Sequence, residues 1–543
     1  MNVSDQITDI ALKLPYKVAN VMPEKRRGKQ YLYSHYTFIQ FEKRINQFAY
    51  KLQDLGVSPG DKVLVFVKPC LDFAPLVFAL FKMGAICVFI DPGMGKKNFL
   101  NAVEQVKPDV LIGIPLVNII RHFYKSSFST IKHFINFSNF SLFGAKGIFK
   151  ALENAPVHFE SYEPQKGDLA AILFTSGGTG IPKGVEYTHD IFIHQTKMLQ
   201  KEFSLNASDI DVPGFPLFAL FTLSMGMTSY IPDMDPSKPS KASGEKLVQN
   251  IMDCGATFVA GSPSIWRNVA EYCLEQRIQL PSVRVVCMFG APIPNELHRK
   301  FSKILPNGTT YTPYGATESL PIANISGKEV LLETAELSDQ GKGTCVGFPL
   351  EGVKIKIIKS TPEIIHDINE VTHLNSFEVG EIIVQSPTTT RGYYLMEAKT
   401  REAKINDGDG FWHRMGDVGY FDDKGRLWFC GRKTHVVEIN GQAHYTIPVE
   451  SIVNQHPMIT RSALIEFKDE LALVIERVDK KKKLSMDERN SFFAEVFEIL
   501  SSHKLTKDIH HLFLLDALPV DVRHNIKIDR IKLKKMAKHG ELS

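Results

Sequence analysis

Several features that place a chain in a common protein class are scarce or missing here. The 543 residues contain 64 Lys and Arg and 60 Asp and Glu, so the net charge of +4 is too small to indicate a nucleic-acid partner. The longest apolar stretch, residues 63–89, contains Lys68, Asp72 and Lys82, which a membrane span would have to bury in lipid. No export signal and no amphipathic membrane anchor is evident. We therefore expect a cytoplasmic protein without a transmembrane segment.

Motifs for nucleophilic, metal and redox chemistry are missing as well. No GxSxG, HExxH or CxxC pattern occurs, and the GxGxxG and GK[ST] loops of the common nucleotide-binding folds are absent. The cysteines are odd in number and scattered, so we expect reduced, mostly buried thiols. They are Cys70, Cys87, Cys254, Cys273, Cys287, Cys345 and Cys430.

What the sequence does contain is a long alternation of strand-like and helix-like segments, which is typical of parallel sheets covered by helices. A first series comprises strands at 63–67, 86–90 and 110–112 with a helix at 73–83. A second series comprises a strand that ends at Phe174, a helix from about His189, and strands at 257–260, 283–288 and 310–313. Two α/β layers are therefore predicted within the first 350 residues.

The pattern changes in the second half of the chain. From Gly352, short β segments such as 353–358 and 381–385 alternate with turn residues and predict a β-rich subdomain. The chain after Gly431 has strand-like and helix-like segments of its own. The predicted fold is therefore α/β, with a large N-terminal domain over residues 1–431 and a small, mobile α+β lid domain over residues 432–543.

The strongest local signal is the sequence TSGGTGIPKG at residues 175–184, directly after an apolar strand. Its glycines let the backbone fold tightly around a polyphosphate, while its hydroxyls and its lysine supply donors and positive charge. A flexible surface loop is the alternative. The residues predicted to bind phosphate are Thr175, Ser176, Gly177, Gly178, Thr179 and Gly180, with Lys183 as the catalytic cation.

This loop and the motifs after it resemble, in order, those of the adenylate-forming superfamily of acyl-CoA synthetases, luciferases and adenylation domains. The resemblance implies ATP as cosubstrate and Mg²⁺ as cofactor. It implies nucleotide contacts by Gly290, Ala291, Pro292, Tyr314, Gly315, Thr317, Asp417 and Arg432, with Tyr314 near the base and Asp417 on the ribose. Thr317 and Glu318 would be catalytic, and Glu318 would hold the metal, since hard cations prefer carboxylate oxygen.

A further match lies near the C-terminus, where the superfamily carries a lysine that reaches the acyl carboxylate and the α-phosphate. Lys527 matches that lysine, so the resemblance makes it catalytic. Ile526 replaces the usual glycine and the loop is one residue longer. Without the other motifs, a solvated lysine in a basic tail would be the favoured interpretation.

Departures from the superfamily narrow the function. Ala219 stands where many acyl-CoA synthetases carry a histidine, and Thr434 replaces the usual Asp or Lys of the hinge. Residues 215–236, 314–321 and 520–525 resemble the β-lactone synthetases of bacterial long-chain olefin biosynthesis. The resemblance implies adenylation of a 2-alkyl-3-hydroxy fatty acid, after which its 3-hydroxyl displaces AMP and closes a β-lactone without coenzyme A.

Two questions stay open at this point. Phe215, Phe218, Ala219, Phe221 and Met225 are predicted to line the acyl pocket, but an aromatic stripe beside a strand fits plain core equally well. A fatty acyl-CoA or acyl-AMP ligase is the alternative function, and a non-catalytic nucleotide-binding protein is a third. The partners implied are an acyl substrate and ATP, together with assembly with other enzymes of the same lipid pathway.

Overall fold

The structure is a computed structural model that describes residues 1–28, 30–175, 182–479, 484–520 and 528–542. Its elements confirm the predicted mixed α/β class, with a large N-terminal domain followed by a small C-terminal one. Within those residues no helix is long and apolar enough to cross a membrane. The cytoplasmic location stays a prediction.

The first part of the chain alternates strands and helices as predicted. Its strands are β1 Val18–Arg27, β2 Gln30–Thr37, β3 Lys62–Phe66, β4 Ile86–Phe89, β5 Val110–Gly113, β6 His133–Asn136, β7 Lys146–Gly147, β8 Leu169–Thr175 and β9 Lys183–Thr188. Its helices are α1 Asp5–Lys13, α2 Phe38–Asp54, α3 Phe73–Lys82, α4 Lys96–Val106, α5 Pro115–Ile120 and α6 His189–Glu202. Seven of these strands form a sheet in the order β7-β6-β5-β3-β4-β8-β9, and only β9 is antiparallel to its neighbour.

The second part of the chain builds another helix-covered sheet. Its strands are β10 Ile210–Pro213, β11 Thr228–Tyr230, β12 Phe258–Gly261, β13 Val285–Met288 and β14 Thr309–Tyr311. Its helices are α7 Phe218–Ser224, α8 Gly244–Cys254, α9 Pro263–Gln276 and α10 Asn295–Ile304. The sheet order is β14-β13-β12-β10-β11-β1-β2. β12 and β13 are buried along their whole length, because helices cover both faces of a parallel sheet.

The third part is the predicted β-rich subdomain. Its strands are β15 Tyr314–Ala316, β16 Ser319–Asn324, β17 Thr344–Pro349, β18 Lys354–Ile358, β19 Gly380–Gln385, β20 Lys404–Asp407, β21 Gly410–Phe421 and β22 Leu427–Arg432. They form one antiparallel sheet, with β20 paired to β21 at its side. Its helical pieces are α11 Gly327–Glu329, α12 Ala335–Leu337 and α13 Glu397–Ala403, with π-helical turns at Val330–Thr334 and Ser338–Lys342.

In its described residues, the last part carries two small sheets and three helices. Its strands are β23 Val437–Ile439, β24 Gln442–His444, β25 Ile459–Phe467, β26 Glu470–Arg477 and β27 Ile509–Leu515. Its helices are α14 Thr446–Val453, α15 Met486–Ser502 and α16 Arg530–Lys538. Short 3-10 helices along the whole chain lie at Pro92–Met94, Arg121–Phe123, Leu152–Asn154, Pro239–Lys241, Ile368–Glu370 and Lys433–His435.

One large apolar core joins the two helix-covered sheets. It includes Phe78 and Phe81 of α3, Phe192 of α6 and Phe258 of β12, all of which are buried. The seven cysteines are free thiols, and five of them are buried. Because the two sheets share this core, the ends of their strands are fixed relative to each other.

Candidate active site

A single large cleft of about 2670 Å³ collects most of the predicted site residues. Residues that directly follow the carboxyl ends of parallel strands line it, among them Ile90, Ile114, Ser262 and Phe289. This is where open α/β sheets bind ligands. The β-rich subdomain and the C-terminal domain contribute to the walls as well. All parts of the chain therefore meet at one site.

The first polar cluster in the cleft joins Tyr314, Asp417 and Arg432. Asp417 and Arg432 face each other across β21 and β22, and Arg432 Nη1 lies 2.9 Å from Asp417 Oδ1. The Tyr314 hydroxyl donates to Asp417 Oδ2 at 2.6 Å. Burial and the Asp417 charge raise the pKa of Tyr314 well above its usual value, and Asp417 raises the pKa of Arg432. The cluster therefore holds a phenol, a carboxylate and a guanidinium in one fixed arrangement.

The second cluster surrounds the tight turn between β15 and β16, which carries Thr317 and Glu318. The Tyr187 hydroxyl donates to the Thr317 carbonyl at 2.6 Å, and Gln195 Nε2 donates to the Leu320 carbonyl at 3.2 Å. The Thr390 N–H donates to the Glu318 carbonyl at 2.9 Å. The turn is thus held from three separate elements, so the position of both predicted catalytic residues is well determined.

Tyr393 connects Glu318 with Lys183. Its hydroxyl donates to Glu318 Oε1 at 2.7 Å, and Lys183 Nζ lies 4.8 Å from the centroid of its ring, a cation–π distance. The neighbouring Tyr394 N–H donates to the Gly184 carbonyl at 2.7 Å, which fixes this segment against β9. No motif in the sequence points to Tyr393. Its only signal was a pair of tyrosines after a glycine in a loop.

Lys404 is a second site residue that no motif in the sequence indicates. Its Nζ donates to the Thr390 carbonyl, next to the Glu318 turn. Burial lowers the pKa of Lys404 to about 7, and the Glu318 and Glu186 carboxylates oppose only part of this effect. Lys404 is therefore a buried amine that titrates near neutrality beside the predicted metal-binding carboxylate.

The predicted adenine segment and Gly315 also lie on the cleft. Gly290, Ala291 and Pro292 line it, separated from β13 only by Phe289. Gly290 has a φ of +90°, a conformation that favours glycine. At Gly315 an added Cβ would lie 2.9 Å from the Leu320 Cβ, so the hairpin can close only with glycine there. Their roles toward a nucleotide stay predictions.

Not all of the predicted acyl-pocket residues reach the cleft. Phe215, Phe218 and Phe221 line it, and Phe218 stacks on Phe289 with ring centroids 4.9 Å apart. Ala219 instead lines a separate small cavity, and Met225 is buried and is not among the described residues that line either space. The aromatic stripe is therefore partly a cleft wall and partly core.

Some predicted site residues lie outside the described part of the chain. They are Ser176, Gly177, Gly178, Thr179, Gly180 and Lys527, and for Thr175 only the backbone, in β8, is described. The described residues on either side are informative. Phe174 and Lys183 line the cleft, and so do Val520 and Ile528, which pair with each other.

The family model described as AMP-binding enzyme matches residues 15–394. A protein named olefin beta-lactone synthetase from Xanthomonas campestris is 37% identical, over 98% of this chain and 96% of its own length. A protein of the same name from Stenotrophomonas maltophilia is 34% identical, over 98% of this chain and 97% of its own length. The solved anthranilate CoA ligase AuaEII with anthranoyl-AMP superimposes with a TM-score of 0.81 at 18% identity, covering 100% of this chain and 98% of its own.

Proposed function

Because the chain belongs to the AMP-binding enzyme family, we propose that it adenylates a 2-alkyl-3-hydroxy fatty acid and closes the product to a β-lactone. One observation carries this proposal: the two polar clusters and the phenylalanine wall lie on the same cleft. A nucleotide and an apolar acid can therefore meet there. The relatives named olefin beta-lactone synthetase, similar over nearly the full length, favour the lactone as product.

The polar clusters suit the two ends of ATP. Asp417, which is paired with Arg432, can accept hydrogen bonds from the ribose hydroxyls, with the Tyr314 ring beside the base. Lys183 brings positive charge to the side of the cleft where β9 begins. The nucleotide would lie with its ribose at the β21–β22 pair and its phosphates toward Glu318 and Lys183.

The residues present fit Mg²⁺ bound together with ATP. Glu318 Oε1 accepts from Tyr393, and its Oε2 accepts no hydrogen bond from the described residues. Among those residues no three His, Cys, Asp or Glu side chains converge as a metal site. Mg²⁺ is commonly held by one or two carboxylates plus substrate phosphates, and the Glu318 carboxylate together with the phosphates of ATP would supply such a set of ligands. Bound there by Glu318, it would neutralise phosphate charge.

In the first step, a carboxylate oxygen of the acid attacks the α-phosphorus, and the bond to the bridging oxygen of the β-phosphate breaks. Pyrophosphate leaves, and the acyl group is joined to AMP. Like charges must approach in this step, so Lys183 and Lys527 lower its barrier by offsetting negative charge, while the fixed turn at Thr317 and Glu318 provides positioning.

In the second step, the 3-hydroxyl oxygen attacks the activated acyl carbon, the bond to AMP breaks, and AMP and one proton are released. The nucleophile is already part of the substrate, so coenzyme A is not consumed. Intramolecular attack gains effective concentration, which offsets part of the strain of the four-membered ring. The phenylalanine wall of Phe215, Phe218 and Phe221 excludes water that would otherwise hydrolyse the adenylate.

The proposed domain boundary after Gly431 is supported by contacts at the start of the C-terminal domain. The buried Glu381 carboxylate accepts from Arg414 Nη2 at 2.7 Å and from Lys433 Nζ at 2.9 Å. Lys433 follows β22 directly, so the chain is anchored just before Thr434, the proposed hinge. Residues 432–543 would then move as the lid, and assembly with other enzymes of the same pathway stays a prediction.

The test combines the protein with ATP, Mg²⁺ and a 2-alkyl-3-hydroxy acid, with and without coenzyme A. The matched substrate control is the same acid without its 3-hydroxyl. We expect lactone and AMP without coenzyme A, and only adenylate from the control acid. A thioester formed only with coenzyme A would support the fatty acyl-CoA ligase instead. If no AMP forms under any condition, the protein would be a non-catalytic nucleotide-binding protein.

A further inference from the structure

An exposed apolar surface lies beside the cleft, on the edge of the first sheet. The helix α5 and the 3-10 turn after it expose Leu116, Ile119, Ile120 and Phe123. These positions are spaced as one face of a helix, and Val117 and Asn118 on the other face are buried. An amphipathic helix of a globular protein normally turns such a face inward, so this face is available for a partner.

A neighbouring loop extends the same surface. Phe140 and Phe143 are exposed on the loop between β6 and β7. Arg121 donates to the Phe143 carbonyl, and the rings of His122 and Phe143 lie 5.6 Å apart, so the loop is held against the end of α5. We call the six exposed apolar residues the apolar patch: Leu116, Ile119, Ile120, Phe123, Phe140 and Phe143.

The chain segment that carries the apolar patch has charge of one sign. The chain has no Asp or Glu from residue 110 to residue 152, a stretch that contains Arg121, Lys125, Lys132, Lys146 and Lys150. Lys125 and Lys146 are exposed next to the patch, and Lys132 pairs with Asp109 at the opposite end of the sheet. Exposed aliphatic and aromatic side chains with a basic rim are typical of proteins that rest on anionic lipid surfaces.

Lys96 adds to the rim, and two acids lie nearby. Lys96 Nζ lies 4.5 Å from the centroid of the Tyr124 ring, which places the basic start of α4 at the same edge. Glu104 of α4 accepts from the Ser127 hydroxyl, and Asp91 accepts from the Gly93 N–H, both outside the acid-free stretch. The rim therefore remains predominantly positive.

The apolar patch also adjoins the cleft. Ile114, the residue directly before α5, lines the cleft, and Met94 and Asn98 line it from the neighbouring turn and α4. A molecule that leaves a lipid layer under the patch would therefore meet the cleft without crossing open water. This consequence for substrate capture rests on the proposed function, whereas binding to the lipid surface does not.

We propose that the apolar patch and its basic rim dock the protein on an anionic lipid surface. The side chains of the patch enter the interface between headgroups and acyl chains, and the surrounding lysines contact the headgroups. No amphipathic anchor is evident in the sequence, because this surface combines a helix of six residues, a 3-10 turn and a loop, none of which shows a long periodic pattern alone.

The test measures co-sedimentation with vesicles of phosphatidylcholine alone or with phosphatidylglycerol, without substrate. We expect binding to the anionic vesicles, weakened by salt. In the double variant Phe123→Ser/Phe143→Ser, the affinity for anionic vesicles should fall about tenfold for each phenylalanine removed. Phe377→Ser is the matched control, because Phe377 and Phe143 are each 58% exposed and each at positive φ.

Lys125→Glu should lower the affinity for anionic vesicles, because it reverses one charge of the basic rim. Its binding to vesicles of phosphatidylcholine alone should equal that of the wild type. The proposal is overturned if the wild-type protein stays in solution with anionic vesicles, or if the double variant binds as the control does. It is also overturned if the wild-type protein does not bind vesicles but self-associates, and the double variant does not self-associate. The apolar patch would then contact a second copy of the chain. None of these results bears on lactone formation, which is assayed separately.

Discussion

The contact between Tyr393 and Glu318 offers the sharpest test of the site geometry. Tyr393→Phe removes the hydroxyl that donates to Glu318 Oε1 at 2.7 Å and keeps the ring on which Lys183 rests. A hydrogen bond to a charged group contributes about 1.5 to 3 kcal/mol. If the bond holds Glu318 in the orientation used in the transition state, kcat/KM for adenylation should fall about 10- to 150-fold.

The assay is pyrophosphate release at several Mg²⁺ concentrations. Because Glu318 is the proposed metal-binding residue, the variant should also need more Mg²⁺ for its half-maximal rate. Tyr394→Phe is the matched control, since the Tyr394 hydroxyl makes no hydrogen bond with the described residues, and it should behave as the wild type. Equal rates and equal Mg²⁺ requirements for Tyr393→Phe and wild type would show that the Tyr393 hydroxyl does not position Glu318.

Three further variants test separate parts of the site. Asp417→Asn removes the charge that Arg432 pairs with, so calorimetry should show ATP binding weakened about tenfold or more. An unchanged Kd for ATP would show that Asp417 does not bind the nucleotide. The lowered pKa of Lys404 means that the unfolded chain binds more protons between about pH 7 and pH 10. Wild-type stability relative to Lys404→Met should therefore rise with pH over that window, by at most about 1.4 kcal/mol per pH unit, and a flat difference in urea unfolding would contradict this. Lys527→Ala should slow pyrophosphate release by about 100-fold or more with ATP affinity unchanged, because the lysine acts late in the reaction, and normal product formation would refute its role.

Much of the fold could be predicted from the sequence because its signals are local. The strand predicted at 86–90 is observed at Ile86–Phe89, and the helix predicted at 73–83 is observed at Phe73–Lys82. Short apolar runs between turn residues mark buried parallel strands wherever they occur. The same holds for the antiparallel β segments after Gly352, where alternation and turn residues lie within a few positions of each other.

The contacts inside the site could not be predicted in this way. Tyr393 is 75 positions from Glu318, and Lys404 is 14 positions from the carbonyl to which it donates, so only the assembled fold brings these groups together. The phenylalanine stripe shows the same limit. Whether Phe218 of α7 faces a cleft and Met225, the residue after α7, faces core depends on how this segment packs against its neighbours, and apolar composition is the same in both cases.

The most direct test of the proposed chemistry follows the oxygen atoms of the substrate. A 2-alkyl-3-hydroxy acid with ¹⁸O in both carboxylate positions is converted with ATP and Mg²⁺, and the AMP and the lactone are analysed by mass spectrometry. Adenylation of the carboxylate followed by attack of the 3-hydroxyl predicts one ¹⁸O in AMP and one in the lactone carbonyl. Unlabelled AMP with both ¹⁸O atoms in the lactone would show that the hydroxyl is activated instead, which would contradict the account.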